Sequence, residues 1–481
     1  MQSRSYKCWK NRLFFLLLGC SLALACASGR SPWPLDDPRR SLGAAAAEVL
    51  GRAIRMDTTN PPGDEAPLAA LFVDVLRAHG VEAKLVETPS SGSTRGRAAA
   101  WARVPGRGWQ RPIVLLSHLD VVPADPAEWA VDPFAGIVGG GYVVGRGALD
   151  AKGIAVVHLM TLLELSRRAQ PLGRDVIFLA TPDEEEGGRE GAGHLVSTRK
   201  DLLRDAEYLL TEGGGILVGD GESPPIWGVA ISEKTPCWMR VTARGTPGHS
   251  SAPTRDAAVP RLVAALEKVR SLETEIRVTA EVAGMFEALA PFASPADRSG
   301  YRQLALALEV DPGFRNRFLS DTGRAALVRD TVTITVLEGS TRTNVQPAEA
   351  HANLDARLLP RQQCEVFANQ IRSVIDDPGV EVDTLLSFPS GSSPAGTRLF
   401  DAIRAVAAEV DPGAAVVPRM IAGFTDAHYF RSLGIVAYGF VPRWLPPSET
   451  RGIHGPNERV SIANLERGIG TLLRILERLD Q

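Results

Sequence analysis

The sequence predicts an α/β fold into which a smaller α+β unit is inserted. Three observations predict it. Apolar runs of strand length, such as Ile113 to Ser117 and Val176 to Ala180, alternate with segments of helical periodicity. Several of these runs end in acidic residues or histidine, as in an α/β sheet whose site lies at the carboxyl ends of its strands. Near Ile231 the texture changes to alternating strands around helices, and it changes back at the turn-rich stretch Pro389 to Pro394. A chain of 481 residues is long for one domain, so two are the natural expectation.

The first thirty residues differ from the rest. Lys7, Lys10 and Arg12 precede an apolar run from Leu13 to Ala25, and small residues follow. That is the layout of a secretory signal, too short for a full membrane span. Ala23-Leu24-Ala25 fits an ordinary cleavage site; Cys26 or Cys20 as a lipidated cysteine and an uncleaved anchor are the alternatives. Residues 1–26 are therefore expected to direct export, to the periplasm or beyond, with a lipid anchor at the membrane as the variant. Residues 27–43 read as a linker. Of the five cysteines, Cys237 and Cys364 remain for the folded body. One disulfide is possible by number, but two separate buried thiols are expected.

The elements follow in order. Ala44 to Arg55 and Leu68 to His79 have amphipathic helical spacing, separated by a stop at Asn60-Pro-Pro62. Val81 to Val86 and Ala99 to Val104 read as strands. A helix is expected from Gly153 to Arg168, and short strands at Tyr208 to Leu210 and Ile435 to Val441. Within 237–387, Trp238 to Ala243, Thr331 to Leu337, His351 to Leu358 and Val380 to Leu386 read as strands. Helices at Val259 to Val269 and Arg361 to Ile375 accompany them. Residues 280–330 read as an irregular helical stretch. Leu399 to Val410 and Ile462 to Leu479 close the chain as helices. Residues 44–236 with 388–481 are thus one domain, and 237–387 the inserted one.

The net charge of −3 argues against a nucleic-acid partner. There is no CxxC pair, zinc-finger spacing or P-loop. The chemistry lies elsewhere. Pro112 to Asp120 is a buried-strand run ending in His118 and Asp120, two residues apart and so on one side of the strand. Asp150, Glu184, Glu185, Glu212 and His454 each follow a strand or sit in a glycine-rich loop. Each alone has an ordinary explanation: Asp150 a helix cap, the Glu184 to Glu186 run a solvated turn, Glu212 a cap before glycines, His454 a loop histidine. The sheet, however, brings these ends to one edge. Two imidazoles with several carboxylates suit two borderline ions such as zinc, with one carboxylate bridging. A further carboxylate has to carry the proton from water to the leaving amine. Glu184 and Glu185, if extended, point to opposite sides, so one can ligate while the other acts as base.

These residues resemble a known family. Ser117-His-Leu-Asp-Val-Val-Pro123, Gly145-Arg-Gly-Ala-Leu-Asp-Ala-Lys-Gly153, Pro182-Asp-Glu-Glu-Glu-Gly-Gly188 and the Thr246 to Pro253 loop look like the zinc aminoacylase/carboxypeptidase family. That family includes aminoacylase, glutamate carboxypeptidase, acetylornithine deacetylase and succinyl-diaminopimelate desuccinylase. Ser232-Glu-Lys234, Gly248-His-Ser-Ser-Ala-Pro253 and Glu212-Gly-Gly214 are most similar to its secreted N-acyl-amino-acid hydrolases and the Gly-X carboxypeptidase. The resemblance covers nearly all of the chain after residue 44.

The resemblance implies a zinc-exopeptidase-like catalytic domain, with a central mixed sheet flanked by helices, and an inserted lid and dimerisation domain. It implies two Zn2+ per chain, with Co2+ or Mn2+ as substitutes. His118, Asp150, Glu185, Glu212 and His454 would be metal ligands, with Asp150 bridging. Asp120 would orient His118, and Glu184 would be the general base and acid. His249 would donate to the substrate carbonyl oxygen, in dimeric relatives across the interface. Asn344 and Arg357 would contact the substrate's carboxylate end. One departure stands out: in Gly423-Phe-Thr-Asp-Ala-His428, His428 replaces an arginine common in relatives. The implied function is hydrolysis of the amide next to a free-carboxylate amino acid. A dipeptidase of the same family is one alternative, and a binding protein that keeps the fold without catalysis is another. Met285, Phe286, Leu289 and Phe292 are candidates to line an acyl channel, the alternative being that they pack as core.

Overall fold

A computed structural model describes residues 40–203, 205–219, 224–450 and 452–481. The expected export segment, 1–26, lies outside them. Among the described residues, no helix is long and apolar enough to cross a membrane.

The architecture is a mixed α/β fold around a ten-stranded sheet. Gln110–His118 runs at its centre, parallel to Arg174–Thr181 on one side and to Tyr208–Thr211 on the other. Ala98–Val104 and Glu82–Glu87 extend it antiparallel from Arg174–Thr181. Val436–Gly439, Ile226–Glu233, Gly215–Leu217 and Trp444–Leu445 extend it beyond Tyr208–Thr211. Ala415–Ile421 pairs in parallel with Ile226–Glu233. The strands Ile226–Glu233 and Ala415–Ile421 carry no clear periodicity and were not expected as strands.

The central strand alternates between two cores. Ile113 and Leu115 join the helices Leu42–Ile54, Lys152–Ser166 and Ile462–Asp480 on one face. Val114 and Leu116 join Trp101, Ile177, Leu195 and Phe430 on the other. This is why the run shows no polar alternation: both faces are covered. Lys152–Ser166 is apolar almost all round for the same reason, with 13 of its residues buried.

A second, all-antiparallel sheet has the order Thr331–Glu338, Glu349–Leu358, Thr235–Arg244, Val380–Ser387. Ala258–Arg270 and Cys364–Ile375 cover one face with a separate apolar core. Along Glu349–Leu358 every second residue is buried; His351, Asn353, Asp355 and Arg357 occupy the half-buried positions between them. The chain crosses between the sheets at Lys234, which is fully buried. Its ammonium donates to the carbonyls of Ala326 (3.0 Å) and Arg329 (2.9 Å).

Two expectations are corrected. Cys237 and Cys364 form a disulfide, joining a central strand of the second sheet to the helix that covers it. The separation of 127 residues hid that register. The helices between Ala280 and Leu327 do not line a channel through Met285 and Phe286. Both residues are buried in a core with Phe314, Phe318, Val417 and Met420, against the Ala415–Ile421 strand. Phe286 packs edge-on to Tyr301 at 4.8 Å. Leu289 is only partly buried against the same core, and Phe292 is exposed.

Candidate metal centre

The carboxyl end of the central strand presents His118. A carbonyl oxygen only accepts, so the 2.9 Å contact between His118 Nδ1 and the Asp120 main-chain oxygen puts the proton on Nδ1. The lone pair of Nε2 then faces outward. Nε2 lies 3.1 Å from Asp150 Oδ1 and 3.4 Å from Glu212 Oε2.

Asp150 ends the glycine-rich loop ahead of the Lys152–Ser166 helix; its peptide bond to Ala151 is cis. Its second oxygen, Oδ2, lies 3.2 Å from His454 Nε2. His454 Nε2 is also 3.5 Å from Glu185 Oε2. Asp150 therefore stands between the two imidazoles, one carboxylate oxygen toward each. His454 has φ +55°, a left-handed backbone inside a tight loop.

Glu184–Glu186 is a single 3-10 turn rather than extended chain. The turn is set by left-handed residues at both ends, Asp183 (φ +77°) and Gly187 (φ +95°). Even so, both acids reach the centre. One potential ligand atom each from His118, Glu184 and Glu212 lies within 4.8 Å of the others, and the same holds for His118, Asp150 and Glu185.

Asp120 does more than the sequence suggested. Its carboxylate is 3.5 Å from His118 Nδ1, behind the shorter main-chain contact. The same carboxylate accepts the backbone N–H of Glu184 (3.1 Å) and Glu185 (3.0 Å) and the Asn60 amide (2.9 Å). Behind it, Arg97 pairs with Asp183 and donates to Asn60 Oδ1 at 2.6 Å. Glu458 is buried and accepts from the N–H groups of Gly147, Leu149 and Asp150. Sequence reasoning missed Asn60, Arg97, Asp183 and Glu458. Asn60 was read only as a helix stop, and Glu458 sits four residues after His454 in the same loop without being singled out.

The electrostatics are those of crowded, buried acids. Burial, and then the charge of Glu212, hold Glu184 well above the usual carboxylate range. Burial pushes Glu185 up to about 7. Hydrogen bonds to Asp150 and Glu185 push His454 up to about 10. Burial works against charging His118, yet Glu212, Asp120 and Asp150 raise it well above the usual imidazole value. Glu185 Oε1 is buried with no hydrogen-bond partner among the described residues. Four carboxylates around two imidazoles, one of them with an orphaned oxygen, fit divalent cations, since buried charge needs a partner.

The remaining expected residues lie on the second sheet and its loops. His249 is exposed, on a two-residue strand paired with Val345–Gln346. The Ser251 backbone N–H donates to its Nδ1 at 3.2 Å. Asn344 is exposed, and its carbonyl accepts from Ser250 N. Arg357 grips Asp355 through Nε (2.7 Å) and a terminal nitrogen (3.1 Å), under the ring of Phe424 at 4.8 Å. Its other terminal nitrogen is buried without a hydrogen-bond partner among the described residues. His428 stacks flat on Phe388 at 3.6 Å, and burial lowers it to about 3, so it carries no charge near neutrality.

Comparison with known proteins identifies the family. The family model for peptidase family M20/M25/M40 matches residues 114–478. The N-fatty-acyl-amino acid synthase/hydrolase PM20D1.1 of Danio rerio is 30% identical over 77% of this chain and 72% of its own length. Aminoacylase-1 of Sus scrofa is 26% identical over 89% of this chain and 93% of its own. The crystal structure of an M20 family metallo-carboxypeptidase from Sulfolobus solfataricus superposes with a TM-score of 0.71, at 18% identity, over 90% of this chain and 99% of that one. The chain belongs to peptidase family M20/M25/M40.

Proposed function

We propose that the chain is an exported dinuclear-zinc hydrolase that cleaves the amide bond next to a free-carboxylate amino acid. The observation that carries this reading is Asp150, with one carboxylate oxygen toward His118 and the other toward His454. His118, Glu212 and Asp150 would hold one ion; Asp150, Glu185 and His454 the other, with cobalt or manganese as substitutes. A pair of such ions polarises a carbonyl and makes water more acidic.

The protein's own groups supply the rest. Glu184, next to these ligands, takes the proton from water and delivers it to the leaving nitrogen. Asp120 holds Glu184 in place through its backbone N–H. His249 accepts at Nδ1, so its proton sits on Nε2, where it serves as donor to the carbonyl oxygen. The unpartnered nitrogen of Arg357 is suited to the substrate carboxylate, with Asn344 beside the His249 loop. In this reading residues 237–387 form a lid and dimerisation domain over a catalytic domain of 44–236 and 388–481. Closure of the lid would expel water from the site. Residues 1–26 would direct export, with a lipidated cysteine as the anchored variant.

N-acyl amino acids are favoured over dipeptides by the relative named as an N-fatty-acyl-amino acid synthase/hydrolase. Hydrolysis of matched N-acetyl, long-chain N-acyl and unblocked dipeptide substrates, with a chelator control, tests this. Chelator-sensitive cleavage of the acylated substrates is expected. Cleavage of the free dipeptide alone would make the protein a dipeptidase, and cleavage of none would favour a binding protein.

A further inference from the structure

The segment that carries His454 also carries the group that holds Asp150 in place. Glu458 is fully buried, and an isolated buried carboxylate is costly unless it is hydrogen-bonded. It is met by a guanidinium and by three backbone donors. Arg146 donates to its Oε2 at 2.7 Å, and Gly147 N–H to the same oxygen at 3.0 Å. Leu149 N–H (2.7 Å) and Asp150 N–H (3.0 Å) share Oε1. The Glu458 main-chain oxygen accepts Gly145 N–H at 2.9 Å. On the other side of the loop, the buried guanidinium of Arg443 donates to the Leu149 carbonyl. Four of the six backbone N–H groups from Gly145 to Asp150 thereby go to Glu458, while Arg146 N–H goes to the Pro133 carbonyl and Ala148 N–H to that of Gly145. Residues 145–150 lie between the Tyr142–Val144 strand and the Lys152–Ser166 helix and belong to neither element.

We infer that Glu458 is a positioning residue for the bridging carboxylate: it sets where Asp150 stands relative to His454, and so governs metal affinity. The inference rests on the dinuclear reading above. One segment then delivers a ligand, His454, and the template for the ligand that it shares a metal with. A carboxylate is needed because it alone presents two acceptor oxygens to four donors. A glutamine turns one of those oxygens into an N–H that opposes the backbone donors.

The test uses the full chain, stripped of metal and titrated with zinc by calorimetry at a temperature well below unfolding, for wild type and Glu458→Gln. Wild type is expected to take up about two zinc ions. Glu458→Gln is expected to lose roughly 10- to 100-fold in affinity, most at the weaker site. Excess zinc should restore much of its turnover, a rescue that a purely structural defect would not allow. Zinc affinities equal to wild type, with only a lower melting temperature, would overturn the inference and leave the dinuclear reading intact. A wild type that binds no zinc would overturn both. If Glu458→Gln does not fold, Arg146→Lys serves instead, since it leaves the backbone donors on Glu458 and disturbs one partner. Several-fold weaker zinc binding is then expected, and unchanged binding would count against the inference.

Discussion

The carboxylate of Asp120 accepts the backbone N–H of Glu184 at 3.1 Å, so the residue two positions after His118 also fixes the proposed base. One oxygen takes Glu184 N–H, and the other takes Glu185 N–H. Asp120→Asn replaces one of these acceptors by a donor. Turnover should fall roughly 10- to 100-fold, with the fold retained by circular dichroism. Unaltered kinetics would mean that the turn is held by Asp183 and Arg97 alone.

Glu184→Gln keeps the size of the side chain but cannot take a proton. The variant should hold its metal and lose about 10²- to 10⁴-fold in kcat. Near-normal turnover in a metal-replete variant would remove Glu184 from the mechanism.

For His249→Ala, a loss of about 10²- to 10³-fold in kcat with little change in KM is expected, because a carbonyl-oxygen donor acts mainly in the transition state. Steady-state kinetics on one N-acyl amino acid checks it. An effect confined to KM would point to ground-state binding instead.

Arg357→Gln should raise KM roughly 10- to 100-fold for substrates with a free carboxylate, the worth of one hydrogen bond to a charged group. It should leave the corresponding carboxamide analogues unaffected. Equal losses on both would show that Arg357 only supports the sheet through Asp355.

Acid sensitivity follows from His158. It is fully buried with no hydrogen-bond partner on either ring nitrogen among the described residues, and burial lowers it from 6.5 to about 3. Unfolded, it takes a proton near 6.5. Between about 6.5 and 3 the unfolded chain therefore binds more protons, and stability falls as pH falls. Above 6.5 the full stability is present. The slope is at most ~1.4 kcal/mol per pH unit for one such group. Urea unfolding of metal-free protein at pH 7.5 and pH 5 should show a smaller difference for His158→Leu than for wild type. An equal difference would assign the acid loss to other groups.

Much of this was readable from the chain. The apolar run ending in His118 marked the central strand, and the acidic strand ends marked the cluster of carboxylates and histidines, because both follow from periodicity and donor chemistry. The Cys237–Cys364 bond was not readable, since it depends on which helix covers which strand. Nor was the Glu184–Glu186 turn, which rests on a left-handed Asp183 held by Arg97. Met285 and Phe286 had a helical period that suits a channel and a core alike. Only packing against Val417 and Met420 decided between them. Asn60 lies 60 residues from Asp120 along the chain and Glu458 lies 308 from Asp150, beyond any local pattern.

The most direct measurement is the zinc content of the purified chain after reconstitution, by elemental analysis. About two equivalents per chain are expected, with one or none when Asp150 is changed to Ala, because it serves both imidazoles. Wild type with no bound zinc, or Asp150→Ala with a full pair, would contradict the shared-carboxylate centre.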